Sequence, residues 1–165
     1  MPINPEDFRD VLRHFPAGVT LVTVKAGEET HGLTVSAFVS VSPTPPLISV
    51  IIDHKGRGYD LLEHSNAVFA VNILRAGQEE ISNRFAFSQE DRFAMGNWTT
   101  AVTGAPVLSD ALAWLDCTVY SRHTAGTHTI YIGEVQASKV IEPDAAPLVY
   151  WNRAYRSVVE PVNEE

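Results

Sequence analysis

The sequence predicts a mainly β fold with short helices, and three observations carry that expectation. Six or seven apolar, β-branched runs recur along the chain, most of the connections between them are brief and contain Gly or Pro, and only short stretches show helical spacing. Strands in neighbouring antiparallel order form a closed or nearly closed barrel rather than a doubly wound sheet. The central tract, residues 32–52 (GLTVSAFVSVSPTPPLISVII), reads as two such runs around Pro43, Pro45 and Pro46. Because proline cannot donate to a ladder, two strands flanking a proline loop are expected. Small hydroxyls recur along the tract at Thr34, Ser36, Ser40, Ser42 and Ser49. A buried hydroxyl costs free energy unless it is hydrogen-bonded, so something polar is expected to meet this sheet.

In chain order, Asn4 before Pro5, Glu6 and Asp7 is a helix start: a capping side chain, a proline at the first position and acids at the positive dipole end. Phe8, Val11, Leu12 and Phe15 then make one apolar face for packing, and Pro16 and Gly18 end the helix. A strand is expected from Val19 to Lys25, with a hairpin connection at residues 26–29. The run from Leu47 to Ile52 ends at Asp53-His54-Lys55-Gly56-Arg57-Gly58, before a short helix from Tyr59 to Glu63. Ala67 to Leu74 is a further strand, and Gln78 to Phe85 a helix whose Ile81 and Phe85 face inward. Trp114 to Ser121 and Thr129 to Val140 form a hairpin around Gly126, and Leu148 to Trp151 is the last strand.

The length, 165 residues with 45% hydrophobic content, suits one domain, 1–165, with Glu160 to Glu165 as a frayed tail. A formal net charge of −8 argues against nucleic acid, whose binders display a basic face. Cys117 is the only cysteine, which excludes an internal disulfide framework and fits a reducing compartment. A cytoplasmic protein without a membrane span is expected, since no stretch approaches the roughly 20 apolar residues that a span requires. Glycine-rich dinucleotide, P-loop and hydrolase motifs are absent, and the spacing of His123 and His128 does not favour a metal.

The segments Phe15-Pro16-Ala17-Gly18-Val19-Thr20, Gly32-Leu33-Thr34-Val35-Ser36-Ala37-Phe38, Ser40-Val41-Ser42 and Pro45-Pro46-Leu47 resemble the flavin reductase-like family. The likeness continues through residues 69–74, Gln78, Ser82, Phe85, Arg92-Phe93, residues 104–108 and residues 126–135. It spans nearly the whole chain. It implies a split β-barrel of the FMN-binding type and a homodimer with flavin near the subunit interface. The implied activity is NAD(P)H-dependent reduction of FMN or FAD by hydride transfer, supplying reduced flavin to a partner monooxygenase. A non-catalytic flavin-binding or other ligand-binding protein on the same barrel is the alternative, because a fold alone does not fix function.

The resemblance also implies site residues. Thr34, Val35, Ser36 and Ala37 match the family's T-x-S segment, which meets the polar edge of the flavin, and Ser49, Val50 and Ile51 line the same ring. Lys55 and Arg57, on a glycine-bearing loop before a helix, suit a phosphate. Asn72, Gln78 and Phe85 are further flavin candidates, and Trp151, Arg153 and Tyr155 are candidates to close the site. Gly126, Thr127 and His128 match a G-D-H segment that contacts the nicotinamide cofactor, with Thr127 standing where the family has Asp. That substitution removes a carboxylate able to orient the imidazole.

Overall fold

The computed structural model describes residues 2–159; the expected tail at Glu160 to Glu165 lies outside the described residues. The elements run α1 (Pro5–Leu12), β1 (Ala17–Gly18), β2 (Thr20–Ala26), β3 (Glu29–Val35), β4 (Phe38–Pro43), β5 (Pro46–Asp53), α2 (Arg57–Leu62), β6 (Val68–Ile73) and α3 (Glu79–Phe87). A 3-10 turn (Arg92–Ala94) follows, then β7 (Trp98–Thr100), β8 (Pro106–Leu108), β9 (Ala113–Ala125), β10 (His128–Val140), β11 (Leu148–Trp151) and β12 (Ala154–Ser157). Seven strands form one antiparallel sheet in the order β3-β2-β6-β9-β10-β5-β4. The sheet curls around a core without closing, and α2 packs against β2, β3 and β5. This is a split β-barrel.

The central tract departs from the two-strand expectation. The chain leaves the ladder at Ser36-Ala37, so the first apolar run is divided into β3 and β4, which occupy opposite edges of the sheet. Its hydroxyls are therefore dispersed: Thr34 lies on one edge, Ser40 and Ser42 on the other, and Ser49 on β5 beside it. Strand periodicity does not register such a break, because apolar character continues through it.

Apolar side chains pack on both faces of the sheet. Val22, Val24, Ile48, Val50, Ile52, Phe69, Val71 and Tyr131 fill the barrel with Leu61 and Leu62 of α2. On the other face Leu21, Leu74, Ile81, Phe85 and Leu108 pack together, bordered by Phe93 and Trp98. Packing on both sides is why β2 is buried at six of its seven positions. Gly27, at φ +60°, supplies the left-handed residue of the β2–β3 turn.

Helix α1 begins as expected, the Asn4 side chain accepting from the Glu6 and Asp7 amides at 2.9 Å each. Its apolar face does not pack as expected. Phe8, Val11, Leu12 and Phe15 all stand exposed, Val11 at 70% and Phe15 at 76%. Helical spacing specifies an apolar stripe but not what covers it. Among the described residues, no helix is long and apolar enough to cross a membrane.

The Phe85 ring lies directly over Gly32 of β3, where a Cβ would overlap it. Gly32→Ala is therefore expected to lower stability by about 1–3 kcal/mol, read as a reduced denaturant midpoint. An unchanged midpoint would show that the ring has room to move.

Candidate functional site

Strand β3 pairs with β2 on one side and has no strand on the other. Along that free edge runs a cleft of about 540 Å³. Its walls are His31, Leu33 and Thr34 of β3, Ile52 and Asp53 at the end of β5, Lys55 to Tyr59, Phe85 and Ala86 of α3, and Gln89 and Arg92 beyond it. A hollow of about 240 Å³ shares Thr34 and Ala86 with the cleft and adds Ser36, Ser82, Asn83, Tyr150 and Tyr155. The two make one groove.

Most polar groups along the groove are committed to holding its walls. Thr34 Oγ1 donates to the Ser82 carbonyl at 2.6 Å, fastening α3 to β3. The Tyr155 hydroxyl lies 2.9 Å from Ser82 Oγ and 2.8 Å from Asn83 Oδ1, bringing β12 to the same helix. Arg92 donates through Nη1 to the Gly32 carbonyl and to His31 Nε2, the latter at 2.9 Å. Its Nε and Nη2 donate to the Ser88 carbonyl at 3.4 and 3.3 Å. Because Arg92 has only donors, His31 must accept and is neutral there. Burial, and then the neighbouring Arg92 charge, hold the His31 imidazole below its ordinary value of 6.5.

The loop after β5 brings the other cations. Arg57 pairs with Glu29, whereas Lys55 has no ion pair among the described residues. The loop is tied to the β9–β10 hairpin: His54 N donates to the Thr127 carbonyl at 3.0 Å, and His54 Nε2 lies 3.0 Å from Thr129 Oγ1. At the far end of α2, Arg122 donates to the carbonyls of Leu62 and His64, and Tyr131 OH donates to Glu63 at 2.6 Å. Burial first, and then Glu63, push the Tyr131 phenol upward. The Cys117 thiol is buried and pushed up to about 12, by desolvation and then by Asp116, so it is no nucleophile.

The sequence-predicted residues divide into those at the groove and those elsewhere. Thr34, Ser36, Lys55, Arg57 and Phe85 line it, as does Tyr155. Val35 and Val50 point into the barrel core, Ser49 is buried between β4 and β10, and Ile51 and Ala37 lie outside the walls. Ser49 and Ile51 alternate to the face opposite Ile52, which carries β5 to the cleft, and Val50 shares the Ile52 face but sits in the core. Asn72 is fully buried, donating to the Leu21 carbonyl and Thr23 Oγ1 and accepting from the Leu108 amide at 2.7 Å. Gln78 accepts from the Arg75 amide and donates to the Asp110 carbonyl, each at 3.0 Å. Both amides brace loops, and neither faces the groove.

Gly126, Thr127 and His128 form the tip of the β9–β10 hairpin, with Gly126 at φ +62°. They meet the cleft through Asp53, which lines it and stands opposite His128 in the β10–β5 register. Trp151 donates to the His14 carbonyl, and Arg153 occupies a left-handed turn beside it. His31, Asp53, Ser82, Asn83, Gln89 and Arg92 were absent from the predicted site. Ser82 and Arg92 belong to the segments that carry the family resemblance, which is the one signal that singles them out.

A groove on a free barrel edge, with a basic loop at one end, defines a ligand-binding split barrel. The model of the flavin reductase like domain matches residues 12–159, and the chain belongs to that family. The flavin reductase (NADH) of Kitasatospora aureofaciens is 41% identical over 157 residues, covering 93% of this chain and 81% of the relative. The reductase component of 4-hydroxyphenylacetate 3-monooxygenase from Thermus thermophilus is 35% identical over 156 residues, 94% of this chain and 98% of the relative. Among solved structures, the NADH:FAD oxidoreductase of Streptomyces globisporus, in complex with NAD and FAD fragments, superposes with a TM-score of 0.88 at 32% identity, covering 99% of each chain.

The depressed His31 makes stability depend on pH. Its folded-state value lies below 6.5, so the unfolded chain binds the proton more readily and stability rises with pH. The contribution is complete above the ordinary histidine value, about pH 6.5, and is lost as the pH falls below it. Thermal midpoints measured between about pH 7 and pH 5 should fall less in His31→Gln than in the parent; equal slopes would remove His31 as the cause.

Proposed function

We propose that this chain is an NAD(P)H:flavin oxidoreductase. It reduces FMN or FAD by hydride transfer and supplies reduced flavin to a partner monooxygenase, acting as one flavin reductase-like domain in the cytoplasm and as a homodimer. The observation that carries the reading is the groove on β3 with Lys55 and Arg57 at its end. A volume of about 540 Å³ lies within the range of roughly 300–1,000 Å³ usual for cofactor sites. In a protein of net charge −8, two cations gathered on one glycine-bearing loop fit a flavin phosphate.

The chemistry supplied by the bound pair is hydride transfer from nicotinamide to the flavin ring, which needs no acid–base side chain. The protein's part is to place and to exclude. Lys55 and Arg57 hold the phosphate; the β3 edge and Ser36 present polar groups to the ring edge and ribityl chain; Phe85, buried against Phe93 and Trp98 at centroid distances of 5.5 and 5.3 Å, keeps the wall rigid. His128, at the hairpin tip, receives the nicotinamide nucleotide. Fixed walls matter because reacting atoms must be held about 3–3.5 Å apart.

A second copy gives the exposed apolar surface a role. The uncovered stripe of α1 and the outward Val39 and Val41 of the edge strand β4 are surfaces that a monomer would leave open to association. Sedimentation should give a dimer. A fully active monomer would contradict this part of the reading.

Titration with FMN, FAD and riboflavin, followed by NADH and NADPH consumption, tests the function. Bound flavin without consumption of either nucleotide would leave a binding protein. Lys55→Ala with Arg57→Ala should weaken FMN by about tenfold or more, as expected for charged hydrogen bonds, while riboflavin, which lacks the phosphate, changes little. Equal losses for both would place the phosphate elsewhere.

A further inference from the structure

We propose that Asp53 is the positioning residue for His128, presenting the imidazole with its proton on Nε2 to the carboxamide oxygen of a nicotinamide nucleotide. The proposal rests on the reading of His128 given above and extends it to a residue on a different strand. Asp53 ends β5 and His128 begins β10, and the two are direct partners in the antiparallel register. The Asp53 carboxylate is held at one end. Oδ1 accepts the Lys55 amide at 2.8 Å, which fixes the rotation of the group and leaves Oδ2 4.0 Å from His128 Nε2. On the other side of the ring, His128 Nδ1 lies 2.9 Å from Thr127 Oγ1. The backbone under the pair is anchored by the His54 amide on the Thr127 carbonyl and by His54 Nε2 beside Thr129 Oγ1.

These contacts select one tautomer. A carboxylate only accepts, so its charge favours the proton on the nearer ring nitrogen, Nε2; Nδ1 is then an acceptor, and the Thr127 hydroxyl, which does either, donates to it. At 4.0 Å the Asp53 contact is too long for a hydrogen bond, so the Nε2 proton remains open to a ligand. His128 and Asp53 are also both half-exposed, at 45% and 47%, and Asp53 borders the cleft. An acceptor arriving from the cleft therefore meets an oriented N–H donor.

Asp53→Asn is the decisive variant, since its side-chain oxygen still accepts the Lys55 amide while the charge is removed. In the parent protein, ¹⁵N chemical shifts of the His128 imidazole should report the Nε2–H tautomer, and in Asp53→Asn the population should move toward Nδ1–H. The value of kcat/KM for NADH should fall roughly two- to tenfold, the scale of one neutral hydrogen bond, carried mainly by KM. Flavin affinity should not fall, because the change removes a negative charge beside Lys55 and Arg57. Thr127→Asp, which sets a carboxylate beside Nδ1, should likewise draw the proton to Nδ1 and lower kcat/KM for NADH, an outcome that a purely structural role for Asp53 would not produce. An unchanged tautomer, or unchanged kcat/KM with an unchanged melting curve, overturns the proposal. Normal nucleotide kinetics in His128→Ala overturns the reading of His128 and the proposal with it, whereas loss there without loss in Asp53→Asn overturns the proposal alone.

Discussion

The site depends on one constraint: a seven-stranded antiparallel sheet that curls without closing must leave an edge, and here that edge is β3. Unpaired strand edges are normally covered, charged or kept short. In this protein α2 and α3 approach β3 from two sides, and Arg92 reaches the Gly32 carbonyl, so the edge becomes the floor of a groove. Gly32 is part of the same solution, because only a residue without a side chain lets the Phe85 ring come this close to the strand. The free edge is both the weakness of the fold and the floor of the groove proposed as its binding site.

Polar side chains are divided between two tasks by burial. Thr23, Asn72, Gln78 and Asp116 are buried and satisfied by protein partners, and they fasten the loop over residues 97–112 to the sheet. A buried amide with all its bonds made contributes rigidity and has nothing left for a ligand. At the groove, by contrast, Lys55 and Ser36 are exposed, and their desolvation is deferred until a ligand arrives.

The loop over residues 53–58 joins the two halves of the proposed chemistry. Its cations Lys55 and Arg57 line the cleft, while Asp53 and His54 grip the β9–β10 hairpin tip. At the far end of α2, Glu63 receives Tyr131 from the same hairpin. The elements proposed for flavin and for nucleotide thus share one short segment of chain, which fixes their separation through backbone register rather than through long side chains. Register is a rigid ruler, since a slip of one residue would turn every side chain of the strand to the other face.

The sequence by itself determined β2, β5, β6, β9, β10 and β11, the helix start at Asn4, the inward face of α3 and the hairpin about Gly126, because each is written in local periodicity, capping or turn chemistry. The family was legible too, since ordered segments such as Gly32 to Phe38 and Gly126 to Val135 survive as strings. Several things only the tertiary structure decided. The break at Ser36-Ala37 sends β3 and β4 to opposite edges, and no local pattern marks it because both runs are equally apolar. Asn72 and Gln78 have the same chemistry whether they meet a ligand or a backbone; position in the sheet alone assigns them to the backbone. Asp53 and His128 are separated by most of the barrel in sequence, and strand register, a property of pairing rather than of either strand, is what sets them face to face.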